Sequence, residues 1–148
     1  MADVRLALSP EIQAEWTALK AAARASLDDI NHAIKAIGSP IFDEQVFDEQ
    51  ITQALAALAG QIQHCHEFEE QAVFTSDAFG TSKALARKLS QFRSQHTDIE
   101  LKSSHAIDRV RILKQEGFSL ATASPLVEAL VDLRKAILLN FEDEKILV

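Results

Sequence analysis

Two histidines and a small set of glutamates stand in this sequence where helical periodicity would otherwise place aliphatic side chains: His66, Glu69 or its neighbour Glu70, His96 and Glu144. Each follows two or three turns of clean apolar repeat. Ile51, Leu55, Leu58 and Ile62 lead to His66, Glu69 and Val73; Leu85, Leu89 and Phe92 lead to His96; Leu126, Leu130, Leu133 and Ile137 lead to Asn140 or Phe141 and then Glu144. Steps of three and four residues put the members of each series on one helix face. A carboxylate buried on such a face without a partner is strongly unfavourable, so these polar positions need one another or a ligand.

Imidazole and carboxylate converging from facing helices are how helical bundles hold metal ions, and without thiolates that donor set suits iron, manganese or zinc. His66 and Glu70 are four residues apart and project from one face. Glu69 is the alternative in register, with Cys65 four residues before it. Glu100, four after His96, sits at the edge of its stripe as a substitute carboxylate. The bland alternative is a set of residues at a water-filled end of the bundle, satisfied by neighbouring polar groups. His32, His64 and His105 point away from their seams and are expected in solvent.

The elements that must position these side chains follow from sparse punctuation. Gly (4) and Pro (3) are few in 148 residues, so the elements are long. Ser9-Pro10-Glu11 reads as an N-cap, a proline in the first turn and an acid at the positive helix end. Ile12, Trp16, Leu19, Ala23, Leu27, Ile30, Ile34 and Ile37 then form one stripe that stops at Gly38-Ser39-Pro40. Thr75 to Ser82 is a polar loop, Gly117 closes the third helix, and Ser124-Pro125 repeats the logic of Ser9-Pro10. Helices are predicted over about 10–37, 44–74, 82–116 and 125–147, the last stripe running to Val148. The prediction is an all-α, antiparallel up-and-down four-helix bundle forming a single domain over 1–148.

Charge and hydropathy limit the function classes. The formal net charge is -7 and no basic run occurs, which gives no footprint for nucleic acid. The apolar stretches are short and interrupted by charge, so no membrane span is predicted. Met1 to Pro10 has no apolar core of a signal peptide, and the lone Cys65 has no internal disulfide partner, so a cytoplasmic setting is the expectation. Glycine-rich phosphate loops and paired zinc-type cysteines are absent from the sequence.

Three segments carry a family resemblance. His64-Cys65-His66-Glu67-Phe68-Glu69-Glu70-Gln71-Ala72-Val73-Phe74 is similar to the second-helix motif of the hemerythrin-like, or HHE cation-binding, family. Phe92 to Ile99 resembles its third helix, and Asn140 to Val148 its fourth. The resemblance implies a four-helix bundle with a non-haem iron centre, in the family a di-iron one, serving oxygen or nitric-oxide binding, iron handling or stress response. It implies His66, Glu70, His96 and Glu144 as ligands, with Glu69 as the alternative, and a metal ion with a small diatomic ligand as partners. The chain departs from the pattern at three places. Asn140 stands where the family has His, Asn31 aligns with the first-helix His while His32 is the next residue, and one register puts Cys65 at the second-helix His. The alternative implied by those departures is a metal-free bundle kept as an interaction or homodimerisation module.

Overall fold

Helix caps set the boundaries of the chain. The computed structural model describes residues 6–147, so the reading of residues 1–5 and of Val148 lies outside the described residues. Four long helices span Pro10–Ala36 (α1), Glu44–Phe68 (α2), Lys83–Glu116 (α3) and Leu120–Glu144 (α4). A π-helical turn at Glu69–Val73 extends α2, and 3-10 turns occupy Asp77–Gly80 and Lys145–Leu147. There is no strand among the described residues, and the all-α arrangement is compatible with a helical bundle. No helix among them is long and apolar enough to cross a membrane.

Side-chain oxygens satisfy the first amide groups of each helix, as expected where short polar residues precede an apolar repeat. Ser9 Oγ accepts from the Ile12 amide at 3.2 Å, and Asp43 Oδ1 accepts from Gln45 and Val46 at 2.9 and 3.0 Å. Ser82 Oγ accepts from Ala84 and Leu85. Gly117, at φ 84, ends α3 and donates its amide to the Leu113 carbonyl at 2.8 Å. That left-handed conformation disfavours any residue with a Cβ.

Two boundaries differ from the sequence reading. The fourth helix begins at Leu120 rather than at Pro125, because Ser119 and Thr122 form a reciprocal capping box. Thr122 Oγ1 accepts from the Ser119 amide at 2.9 Å and donates to the Gly117 carbonyl at 2.7 Å. Pro125 therefore lies inside the helix, where it cannot donate to the carbonyl of Ala121; that residue is exposed and open to water. The second helix does not run evenly to Phe74. It shifts to π geometry at Glu69, and the Phe74 amide donates to the Glu69 carbonyl at 2.7 Å.

The predicted stripes form the core. Every residue of the α2 stripe from Ile51 to Val73 is buried, and so are the α4 positions Leu126, Leu130, Leu133, Ile137, Asn140, Phe141 and Glu144. α3 packs closely along α4 and α1 along α2, whereas α2 and α3 meet more sparsely. The looser seam leaves a cleft of about 780 Å³ whose lining includes His66 and His96. The opposite end is closed by an aromatic cluster of Phe42, Phe47 and Phe118, with ring centroids 5.1 to 5.7 Å apart.

The capping assignment has a direct test in urea unfolding. Ser119→Ala removes half of the capping box and is expected to cost about 1 kcal/mol. Ser124→Ala changes an exposed residue within α4 and is expected to stay within about 0.5 kcal/mol of the parent. The reverse ranking would restore the helix start at Ser124-Pro125.

Candidate metal centre

Helical register decides which glutamate faces the core: Glu69 falls in line with Ile51, Leu55, Leu58 and Ile62, and Glu70 lies about 100° further round. The π turn that follows returns Phe74 to the buried side, beside Cys65, His66, Glu69 and Val73. Glu69 is 0% exposed. Glu70 is turned outward, where Arg93 of α3 grips its carboxylate through Nε and Nη2, both at 2.9 Å. That pairing holds the Glu70 carboxyl below its ordinary range. Of the two registers open in the sequence, the structure brings Glu69 into the cluster and leaves Glu70 out.

His96 is the hub. Its Nε2 lies 3.3 Å from Glu144 Oε2 and 3.6 Å from Glu69 Oε2. The His66 ring stacks on it with centroids 3.7 Å apart and planes 8° from parallel. Glu144, the last residue of α4, is 0% exposed, and its other oxygen lies 3.5 Å from Lys20 Nζ of α1. The Cys65 thiol donates to Glu69 Oε1 at 3.2 Å. His66, Glu69, His96 and Glu144 are thus brought together from α2, its π turn, α3 and α4. The ligating atoms of the first three all lie within 4.8 Å of one another.

The remaining candidates sit elsewhere. Asn140 is 0% exposed, but its amide donates to Gln95 Oε1 at 2.8 Å, a neighbour of the hub on α3. Glu100 is largely exposed, with Oε1 3.7 Å from His66 Nδ1. His32, His64 and His105 are exposed, as their positions off the stripes predict. Sequence reasoning missed Lys20. It is buried with its ammonium 3.8 Å from the Trp16 ring centroid, one turn along α1. The available signal was the four-residue step from Trp16, since a lysine there can lay its stem along the aromatic ring.

Burial and charge set the protonation pattern. Burial pushes the His96 proton off, but hydrogen bonds to Glu144 and Glu69 outweigh it and raise the pKa to about 9. Burial, then the charge of His96, lowers His66 to about 4, so this ring is neutral at pH 7. Burial also raises Glu144, to about 7, with Glu69 beside it adding to the effect. Glu69 itself goes down: burial opposes this, but hydrogen bonds from Glu144 and His96 prevail. Burial, followed by the Glu69 charge, pushes the Cys65 thiol up, so it is an inert proton donor here.

Several buried polar atoms in this cluster have no hydrogen-bond partner: both ring nitrogens of His66, Glu69 Oε2 and Glu144 Oε1. Glu69 Oε2 and Glu144 Oε1 keep long contacts to His96 and Lys20, so the His66 nitrogens are the clearest case; a buried polar atom left alone typically costs about 1–3 kcal/mol. Two imidazoles and two carboxylates with open lone pairs are a donor set for one divalent transition-metal ion. The parallel stacking means that His66 must rotate before both rings can aim at one ion, and it has no hydrogen bond to break in doing so.

The raised His96 pKa makes a stability prediction with a definite sign. The folded protein holds a proton at His96 between pH 6.5, the ordinary value, and about 9. That stabilisation is complete below 6.5 and is lost as pH rises through 9. Wild-type stability in urea should fall by up to roughly 3 kcal/mol across this window, and His96→Gln should lose most of that slope, keeping only what Glu144, raised to about 7, contributes at the lower edge. An equal slope in both proteins would place the titrating group elsewhere.

Comparison with protein-family models, with curated proteins and with solved structures finds no match to this chain.

Proposed function

We propose that this chain is a hemerythrin-like, antiparallel up-and-down bundle that holds one divalent metal ion, iron(II) foremost, between His66, Glu69, His96 and Glu144. The observation that carries this reading is the convergence of four ligating side chains, fully or nearly buried, with both His66 nitrogens unpartnered and an oxygen of each carboxylate held only by a long ionic contact. The topology is supported by pairs that run in opposite senses along neighbouring helices. Asp48 meets Lys114 while His66 meets His96, and Ser26 bonds Gln61 across a tight α1–α2 connection. The resemblance of the second-, third- and fourth-helix segments to the hemerythrin-like family points the same way.

The ligand count favours one ion over two. The sequence positions aligned with further family ligands are Asn31, Cys65 and Asn140, and Lys20 already presents a fixed positive charge to Glu144. A ferrous ion in this set would supply an open coordination position for a small diatomic ligand. His66 and His96 line the α2–α3 cleft, which gives that ligand a route from solvent. The protein's own part is to exclude bulk water, to hold Glu69 and Glu144 in place, and to release the His96 proton when the imidazole is needed as a donor.

A second reading has its own observation. Lys20 and protonated His96 place positive charge against Glu69 and Glu144, so the cluster comes close to neutralising itself without any ion. On that reading the bundle is a metal-free interaction module.

Anaerobic titration with ferrous iron, and with cobalt(II) for its visible spectrum, separates the two. Uptake of one equivalent is expected, lost in His96→Ala and Glu69→Gln and retained in Glu70→Gln, whose carboxylate is committed to Arg93. No uptake by the parent protein would establish the metal-free reading.

A further inference from the structure

On the far side of Lys20 from Glu144 the structure carries a second cavity, of about 190 Å³, between one face of α1 and the end of α4. Its lining is cationic in a chain whose formal net charge is -7: Lys20, Arg24 and Lys145 surround it. Trp16 and Phe141 form its aromatic wall. Lys20 Nζ lies 3.8 Å from the Trp16 ring centroid and 5.6 Å from that of Phe141, and the Arg24 guanidinium lies 5.2 Å from Phe141. The rings fix the two cations from behind and leave their remaining donors unused. Trp16 is 2% exposed and its indole N–H has no hydrogen-bond partner. That N–H is sealed inside the protein, so Trp16 offers the cavity its ring and not its donor.

We propose that this cavity is a binding site for a small oxyanion, held by Arg24 and Lys20. Guanidinium and ammonium are donors with no acceptor capacity, so the complementary ligand is an acceptor bearing negative charge. The volume admits a phosphate, a sulfate or a short carboxylate and nothing of cofactor size. Two carboxylates compete with it. Glu144 shares Lys20 from the core side, and Glu142, at the rim, pairs with Lys145 at 2.8 Å. Arg24 has no ion-pair partner among the described residues and is the anchor left for the ligand. The site contains none of the side chains proposed to hold metal, so it stands whether or not the centre binds iron.

Trp16 is the only tryptophan and there is no tyrosine, so intrinsic fluorescence reports on this cavity alone. The full chain is titrated with inorganic phosphate, sulfate and acetate in turn, each against chloride at matched ionic strength. A saturable change with at least one oxyanion and none with chloride is expected. Arg24→Gln should weaken that binding by about tenfold or more, and Glu142→Gln, which removes an exposed competitor, should tighten it a few-fold. A response no different from chloride, or an Arg24→Gln protein with unchanged affinity, overturns the proposal. Metal uptake measured on the same variants should stay at the parental level, so loss of oxyanion binding is distinguishable from loss of the metal centre.

Discussion

Two carboxylates buried within reach of one imidazole constrain much of this molecule. Glu69 and Glu144 are both 0% exposed, and both lie within 3.6 Å of His96 Nε2. Like charges this close in a poorly polarisable core cannot both stay ionised without compensation. The compensation comes from His96, which keeps its proton well above the ordinary imidazole range, and from Lys20, whose stem is sheathed by Trp16. Removing either partner leaves a buried charge unanswered. The cluster therefore ties α1, α2, α3 and α4 together at one end of the core, while an all-aromatic contact closes the other.

The backbone is adapted to that constraint. A regular α-helix keeps Cys65, His66, Glu69 and Val73 on one face and carries Phe74 off it. The π turn at Glu69–Val73 shifts the register after Glu69 and brings Phe74 inward against the His96 ring, while Glu70 points out to Arg93. The sparser α2–α3 contact beside it leaves His66 and His96 at the floor of a cleft. The same polar end thus combines buried donor atoms with a path to solvent, and on its other flank Lys20 faces a cationic cavity.

Much of this was legible from residue spacing. The apolar repeats located four helices because hydrophobic burial follows the helical period, and the interruptions at His66, Glu69, His96 and Glu144 marked the positions that now meet. The choice between Glu69 and Glu70 needed Arg93, a partner on another helix that holds Glu70 outside the core. The start of α4 was misplaced since Ser124-Pro125 and Ser119 with Thr122 both carry cap chemistry; the reciprocal pair prevails because it satisfies more orphan groups. Lys20 escaped notice because a lysine beside an apolar stripe normally extends into water. Its burial depends on Trp16 and on a carboxylate from a helix far along the chain.

The central claim is that the His66, Glu69, His96 and Glu144 donors close on one metal ion. Anomalous diffraction at the iron edge, from crystals grown anaerobically with ferrous iron, tests it most directly. The account predicts a single anomalous peak within about 2.0–2.3 Å of His96 Nε2 and of at least one oxygen each from Glu69 and Glu144, with His66 rotated out of its stack to join them. A crystal that shows no peak there, with the His66 ring still parallel to His96 and Lys20 still on Glu144, would contradict it.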